Sequence, residues 1–404
     1  MSTLVTAVDP LALPAVAVSP AGERLHALDS LRATAMLLGI VLHAGASFAV
    51  MPFPWPAHDI ARGEGFDALL GFIHGFRMQV FFFLAGFFGH MVWRRLGTRA
   101  FVGQRALRIG LPFIVGMIVL VPILGGLWAW GESRSGGTYF AENRPNLSLL
   151  TYPTVHIWFL EMLLFLYVAA LLTARLGEWQ PVARALPRID SAFDWLMRQW
   201  WKPFILVVPA VACLWNGPRI GELEFAGMAL LPAFRAFAYY ALFFALGWWL
   251  HRRIHLVDML RSWVPLYLGI GFVAYIAWGI SLKAAMAPEA AAHITKIKLV
   301  GHTAAALYSW CMTFAVTGLF LRFANGHRPW TRYIADASYW WYLWHLPIVI
   351  ALQIWVASWP LNGWLKLLLI LALTSAILWP SYHYFVRYTW IGRILNGPRE
   401  RKPN

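Results

Sequence analysis

The chain has 404 residues, of which 60% are hydrophobic and only 13% are charged, and its mean hydropathy is +0.59. A soluble domain carries about twice that share of charged residues, so a soluble fold is excluded. The formal net charge of +15 suggests a nucleic-acid partner at first, but the basic residues are distributed as an orientation signal of a membrane protein. We therefore expect membrane lipids as partners and no nucleic acid.

Ten apolar stretches predict an all-α, polytopic membrane protein with about ten transmembrane helices. Stretches of about 20 residues suit helices, whereas the strands of a membrane barrel alternate over about ten residues. The fifth stretch is short and contains Pro203 and Pro209, which makes it the least typical. In chain order the stretches are 28–50, 67–92, 107–130, 153–174, 202–217, 227–250, 262–284, 302–322, 336–358 and 364–386.

The connections between these stretches predict the orientation of the chain. Alternate connections on one side hold 23 of the 33 Lys and Arg residues, and those on the other side hold seven. The positive-inside rule then places both termini in the cytoplasm, which an even number of spans also requires. We expect a flexible tail over 1–26, one transmembrane domain over 27–388 and a basic tail over 389–404, with a short cytoplasmic helix within 175–200.

The first apolar stretch carries three ionisable residues, Asp29, Arg32 and His43. Such residues are costly within a bilayer and indicate a functional site. Arg32 and His43 share one face of a helix, with a rise of about 16 Å between them. A cation near one surface and a titratable base at mid-depth suit the transfer of a group across the membrane. Alternatively, Arg32 reaches lipid headgroups and His43 caps a backbone carbonyl.

Four further arginines and a glutamate follow. Arg77 lies too deep in the second stretch to reach the surface, so it needs a partner, either Glu161 in the fourth stretch or an anionic substrate. Arg235 in the sixth stretch poses the same question. Arg105 and Arg108, at the start of the third stretch, point the same way on a helix and can bind phosphates, or they only anchor the chain at the cytoplasmic surface.

Several kinds of site have no support in the sequence. No group of His, Cys or carboxylates has the spacing of metal ligands, so no metal is expected. Cys213 and Cys311 lie within apolar stretches and are predicted to be core residues. Neither a glycine-rich phosphate loop nor a Ser–His–Asp order stands out.

Four ordered motifs, between about residue 25 and residue 390, resemble those of the membrane acyltransferase-3 family. The first is an arginine followed after ten residues by a histidine, here Arg32 and His43. Residues 84–86 depart from the pattern, because they read Leu-Ala-Gly where many members of the family have Ser-Gly. The motifs are 28–32 with His43, 104–108 with Pro112, 156–160, and 338–347.

The resemblance implies transfer of an acyl group from a cytoplasmic acyl-CoA to a hydroxyl on the outer side of a bacterial inner membrane. Succinyl-CoA or acetyl-CoA would be a co-substrate, with no tightly bound cofactor. Residues 74–82 and the lack of an appended domain are most similar to a branch associated with succinylation of osmoregulated periplasmic glucans. A glucan or another glycan is therefore the expected acceptor, and homo-oligomerisation is left open.

The resemblance also implies roles for individual residues. His43 acts as general base or carries an acyl-imidazole intermediate, and the sequence does not choose between them. Arg32 and Asp29 complete the expected catalytic group. The expected acyl-CoA-binding residues are Arg105, Arg108, Arg32, Tyr339 and His345. The expected acyl- or acceptor-binding residues are Arg77, His74, Glu161, Trp158 and Arg235.

Other functions remain as alternatives at this point. The enzyme could be an O-acetyltransferase of another cell-surface polysaccharide. The chain could also be a transporter or flippase of a polar or lipid-linked sugar, or a structural membrane subunit without chemistry. Transporters often show inverted repeats and paired broken helices, and no such symmetry is visible in the sequence, which favours the acyltransferase.

Overall fold

The computed structural model describes residues 20–52, 54–135, 152–223, 229–324, 326 and 329–397, with side chains from residue 26. Within these ranges the chain forms helices and no strand, which confirms the predicted all-α class. The α-helices are α1 (Pro20–Gly45), α2 (Glu64–Arg105), α3 (Leu111–Ser135), α4 (Trp158–Leu176), α5 (Gln180–Arg198), α6 (Lys202–Leu214), α7 (Phe234–Arg252), α8 (Val264–Ala285), α9 (Ala290–Phe323), α10 (Pro329–Val356), α11 (Gly363–Phe385) and α12 (Trp390–Asn396).

Each of the ten predicted apolar stretches overlaps a helix, and α5 occupies the connection 175–200 where a short helix was expected. Two boundaries differ from the prediction. Helix α1 begins at Pro20, so the end of the expected 1–26 tail is helical, and residues 1–19 lie outside the described residues. Helix α12 lies within the expected 389–404 tail, of which 398–404 are also outside the described residues.

Six of the described helical stretches are long and apolar enough to cross a membrane. One of them, Glu64–Arg134, runs for 71 residues. At about 1.5 Å per residue it is roughly three times as long as the hydrocarbon core of a bilayer is thick, so it must cross more than once. Gly97, with φ of 76°, interrupts α2 in the left-handed region that favours glycine, and it marks the bend. The chain is thus a multi-pass helical membrane protein, while ten spans and cytoplasmic termini stay predictions.

Helices α2 and α7 approach each other more closely than side chains would allow. A Cβ atom added to Gly86 would lie 2.0 Å from the carbonyl oxygen of Phe244, and one added to Gly247 would lie 1.8 Å from that of Phe83. The two backbones therefore touch through both glycines, as is typical of helix pairs in membranes. This contact fixes α2, which carries His74 and Arg77, against the rest of the bundle.

Helix α9 supplies the most buried span, and polar side chains on it are satisfied locally. The hydroxyl groups of Ser309, Thr313 and Thr317 each donate to the carbonyl oxygen four residues earlier, at 2.7–3.0 Å. Such bonds let hydroxyl residues lie in an apolar interior at little cost. The single hydroxyl hydrogen of Ser309 is shared with the carbonyl of Gly75 on α2, whose oxygen lies 2.6 Å from Ser309 Oγ, and this contact ties the two helices together.

Candidate active site

Two histidines from distant parts of the chain meet inside the bundle. His43 Nδ1 lies 2.7 Å from His345 Nε2, which joins α1 to α10. The two imidazole rings are nearly coplanar, with an angle of 11° between them. The expectation that His43 caps a backbone carbonyl is therefore wrong, because its Nδ1 pairs with a second imidazole. His345 was expected among the acyl-CoA-binding residues, and the structure places it beside His43.

The contacts of His345 decide which nitrogen of His43 is free. His345 Nδ1 lies 2.7 Å from the carbonyl oxygen of Tyr342 and 3.0 Å from that of Trp341. A carbonyl oxygen only accepts, so His345 Nδ1 must carry the hydrogen, and in the neutral ring its Nε2 then accepts. It follows that His43 Nδ1–H donates to His345 and that His43 Nε2 keeps its lone pair.

A third histidine adjoins this pair. His156 donates from Nε2 to the carbonyl oxygen of Leu343 at 3.1 Å, and its ring lies edge-on to that of His345, with 5.5 Å between the centroids. The phenol of Tyr342 donates to the backbone carbonyl of His156 at 2.9 Å. The start of α4 and the middle of α10 are thereby locked together around His43.

Arg77 reaches the same region from α2. It lies close enough to His43, His74 and His345 to interact with them electrostatically. Its Nε is buried without a hydrogen-bond partner. Among the described residues Arg77 forms no ion pair, so the expected Arg77–Glu161 pair is wrong. An unpaired guanidinium within a bundle is costly and leaves donors free for an anion.

Gly39 on α1 makes room for Arg77. A Cβ atom at position 39 would lie 1.9 Å from Arg77 Nη1. Gly39 is seven residues after Arg32 and four before His43, so all three lie on one face of α1. That spacing is a signal that sequence reasoning missed, because a glycine between two ionisable residues on one face of a helix allows a third group to approach.

The remaining acyl- and acceptor-site candidates have different surroundings. His74 is exposed and lies three residues before Arg77 on α2. Glu161 is buried, and its Oε1 has no hydrogen-bond partner. Trp158 packs in an aromatic group against Tyr240, with ring centroids 5.4 Å apart. Arg235 lies in the first turn of α7, which begins at Phe234, so the expectation that it is as deep as Arg77 is wrong.

A second cluster, of three guanidiniums, lies beside the middle of α1, at Arg32. Arg105 and Arg32 are both close enough to Arg108 to interact with it electrostatically. Arg32 also pairs with Asp29 at 3.1 Å, and both side chains are about 40% exposed. The Arg105 guanidinium stacks on the ring of Tyr167 at 4.7 Å. Sequence spacing predicted that Arg105 and Arg108 point together, and the fold brings Arg32, which the resemblance had grouped with them, close to Arg108.

Local backbone geometry shapes this cluster. Residues Ala106–Gly110 form a π-helical turn, which is typical of functional positions. Arg108, within that turn, has Nε and Nη2 buried without hydrogen-bond partners. The phenol of Tyr339 donates to the backbone carbonyl of Arg108 at 2.7 Å. Gly397, which follows α12, packs directly on Arg108 Nη2. Unpartnered guanidinium donors next to one another suit a phosphate.

Trp55, which the sequence did not single out, stacks on His43. Its indole is nearly parallel to the imidazole, at an angle of 21°, with 6.0 Å between the centroids. Trp55 Nε1–H donates to Gln353 Oε1 at 2.9 Å, and Gln353 Nε2 donates to the backbone carbonyls of His43 and Ala44 at 2.9 Å. The indole is therefore held at a fixed position relative to the backbone of His43.

Comparison with known proteins gives the same family as the motifs. A family model described as an acyltransferase domain matches residues 25–383. Proteins named "Glucans biosynthesis protein C" from Salmonella schwarzengrund, Salmonella typhi and Salmonella typhimurium are each 31% identical to the chain over 150 residues. These alignments cover 35% of this chain and 37% of each relative. The chain therefore matches little more than a third of the length of these relatives. No solved structure matches.

Proposed function

Because the chain belongs to the acyltransferase-3 family, whose model spans residues 25–383, we propose that it is a membrane O-acyltransferase that uses acyl-CoA. It moves a succinyl group from succinyl-CoA in the cytoplasm to a hydroxyl of a periplasmic glucan. The observation that carries the proposal is the pair formed by His43 and His345, since it leaves one nitrogen of His43 as a free base inside the bundle.

His43 is the general base in this proposal. Its Nε2 takes the proton of the sugar hydroxyl while the hydroxyl oxygen attacks the thioester carbonyl. The carbon–sulfur bond then breaks, and the imidazolium returns the proton to the departing thiolate of CoA. His345 accepts from His43 Nδ1 throughout and so holds the ring in one tautomer, as the third member of a catalytic triad does. An acyl-imidazole on Nε2 would use the same free nitrogen.

The cluster of Arg32, Arg105 and Arg108 is the binding site for the CoA phosphates. Its support is the set of buried guanidinium donors that have no partner among the described residues. Arg32 lies three helical turns from His43 along α1, a rise of about 16 Å. That distance is comparable to the length of a pantetheine arm, so the thioester would reach His43 while the phosphates stay at the cytoplasmic surface.

Arg77 binds the free carboxylate of the succinyl group. A carboxylate that enters the bundle loses its hydration and needs a cation. Arg77 is next to His43 and is unpaired, which supports this role. An acetyl group would leave Arg77 without a partner, so the same residue argues against an acetyltransferase of another polysaccharide.

We place both termini in the cytoplasm of a bacterium and ten spans in its inner membrane. The support is the distribution of Lys and Arg together with the ten helices that the apolar stretches contain. In that orientation His43 lies nearer the periplasm and the arginine cluster nearer the cytoplasm. This arrangement lets the donor and the acceptor approach from opposite sides.

The test uses the purified full chain in lipid nanodiscs. Release of CoA thiol from succinyl-CoA is measured with and without glucan oligosaccharides, and the oligosaccharides are weighed by mass spectrometry. We expect succinylated products from the wild type and none from His43→Ala. His383→Ala serves as control, because His383 contacts Tyr333 and not this site. Wild-type rates in His43→Ala protein would refute the proposal.

A second variant pair tests the phosphate site. Arg108→Gln should raise the KM for succinyl-CoA by about tenfold or more, because a charge-assisted hydrogen bond contributes about 1.5–3 kcal/mol. The matched control is Arg175→Gln, because the Arg175 side chain is 82% exposed and pairs only with Glu178 among the described residues. An unchanged KM in Arg108→Gln protein would remove Arg108 from the CoA site.

A further inference from the structure

Gln353 on α10 binds the backbone of the last turn of α1 through its amide group. Its Nε2 donates to the carbonyl oxygens of His43 and Ala44, at 2.9 Å each. Its Oε1 accepts from the indole Nε1–H of Trp55, also at 2.9 Å. Gln353 is only 1% exposed, so its amide is held by protein groups and not by bulk water.

The three hydrogen bonds permit only one orientation of this amide. Turning the amide by 180° would bring Nε2 against the indole N–H, so that two donors would face each other. The same turn would bring Oε1 against two carbonyl oxygens, where three acceptors would meet without a hydrogen. Trp55 therefore keeps the donor side of Gln353 turned towards α1.

The connection that follows α1 keeps Trp55 in place for this role. Within the connection, Asp59 forms a buried ion pair with Lys366 on α11, at 2.7 and 2.9 Å from the ammonium nitrogen to its two oxygens. The amide of Asp59 donates to the carbonyl of Ser47 at 3.0 Å. These contacts hold the segment 54–63 as a closed loop over the end of α1, and Trp55 within it is 7% exposed.

The bonds from Gln353 fall where α1 loses its regular hydrogen bonding. Helix α1 ends at Gly45, two residues after His43, and a tight 3-10 turn follows over Ala46–Phe48. The carbonyl groups in the last turn of a helix lack the amides that would bind them within a longer helix. The end of α1, which carries the proposed base, is thus held in place from α10.

Helix α10 therefore holds His43 at two points. His345 binds the side chain of His43, with 2.7 Å between Nε2 and Nδ1, and Gln353, eight residues after His345, binds the carbonyl group of His43. Eight residues are a rise of about 12 Å, so the two contacts oppose both sliding and turning of α1. A shift of about 0.5 Å would stretch the bond between the imidazoles to about 3.2 Å, the outer limit for an N–H donor.

We propose that Gln353 is a positioning residue for the reaction: its amide donors hold the backbone of His43 so that the imidazole stays paired with His345 and its free nitrogen meets the thioester. This inference rests on the proposed function. In this role Gln353 acts through His43 and touches neither the donor nor the acceptor. Its loss should therefore lower kcat and leave the binding of both substrates intact.

The experiment measures release of CoA thiol by full-length variants in nanodiscs, with succinyl-CoA and glucan oligosaccharides. Gln353→Met keeps the length of the side chain and removes its donors, so kcat should fall by about 10²-fold, as for a reacting group misplaced by about 1 Å. The KM values for both substrates should change by less than about threefold. Gln79→Met is the matched control, since the buried amide of Gln79 donates to Tyr239 on α7 and Ser309 on α9, and it should keep the wild-type kcat.

Gln353→Glu gives a readout that a purely space-filling role would not change. An ionised carboxylate only accepts, so it would repel the carbonyls of His43 and Ala44, whereas the protonated form has one O–H to donate. Buried glutamates titrate as high as about pH 8–9, so the ratio of the kcat of this variant to that of wild type should fall by about tenfold or more between about pH 6 and pH 9. The ratio for Gln79→Glu should stay level, because its partners are hydroxyl groups, which donate to a carboxylate.

The outcomes separate this inference from the proposed function. A wild-type kcat in Gln353→Met protein, a level ratio for Gln353→Glu or an equal loss in Gln79→Met would overturn the role of Gln353 while leaving the enzyme intact. A rise in KM without a fall in kcat would also overturn it. Thiol release that survives in His43→Ala protein would instead overturn the proposed function. Should Gln353→Met fail to fold, the pH dependence of Gln353→Glu still decides the matter.

Discussion

Replacing Gly39 by alanine should move Arg77 without removing any charge. The new Cβ would lie 1.9 Å from Arg77 Nη1, whereas ordinary contact begins at 3.4 Å. The guanidinium must therefore retreat by about 1.5 Å. Because it is the end of a flexible side chain, the helices need not separate, and alanine favours the helix by about 1 kcal/mol over glycine.

The expected consequence is a selective loss of activity. A misplacement of about 1 Å at a reacting group costs about 10²-fold, so Gly39→Ala should lower kcat/KM for succinyl-CoA by about 100-fold, or about 2.7 kcal/mol. Activity with acetyl-CoA, which has no carboxylate to bind, should change by less than about threefold. Initial rates of CoA thiol release with each donor measure both effects.

The control is Gly279→Ala on α8, because a Cβ atom there meets nothing within 4 Å. It should keep the wild-type rates with both donors. Wild-type use of succinyl-CoA by Gly39→Ala protein would refute the reasoning about Arg77. An equal loss with both donors, together with a lower melting temperature, would also refute it and would give Arg77 a purely structural role.

Three further predictions follow from the site, the helix contact and the ion pairs of α5. His345→Ala should lower kcat by about 10²–10³-fold with little change in KM, since it removes the partner that fixes the His43 tautomer; a change in KM alone would refute this. Gly247→Ala should destabilise the protein by about 1–3 kcal/mol through overpacking, whereas Gly125→Ala, with no neighbour within 4 Å, should not, as melting curves will show. A hydrogen bond from Arg253 holds the pKa of Asp194 below its ordinary value, so this pair stabilises α5 above about pH 4, and the contribution is lost as the pH falls through the lowered pKa. Cleavage of the wild type within 180–198 by an acid-active protease should therefore increase below about pH 4. The Asp194→Asn variant should be cleaved above pH 4 as fast as the wild type is cleaved below it.

The helices were predictable because hydropathy and length alone determine which segments suit a membrane. The shared face of Arg32 and His43 was predictable for a similar reason, since it depends only on the geometry of one helix. The depth of Arg235 was not predictable. Residues 227–233 are apolar and were counted in the span, but Pro232 lies in that stretch and α7 begins only at Phe234. Hydropathy averages over a window and does not register that delay.

Contacts between distant helices were beyond the sequence. His43 meets His345 across 302 positions, and one sequence contains no record of that pairing. The Arg77–Glu161 pair was one of two alternatives for Arg77, and the structure contradicts it, because the packing of α2 on α1 brings Arg77 to Gly39 and the histidines. Trp55 was missed because a tryptophan in a connection rich in proline gives no periodic pattern. Its position is fixed by the hydrogen bond to Gln353, which is distant in sequence.

The ion pair between Asp59 and Lys366 has a consequence for biogenesis. Its two residues are 307 positions apart, so a ribosome that adds about 5–20 residues per second needs roughly 15–60 s to make the second after the first. Until α11 has been made, the Asp59 carboxylate lacks its Lys366 partner, and the connection that follows α1 is not held by this ion pair. The connection around Asp59 is therefore fixed to α11 only after nearly the whole chain has been made.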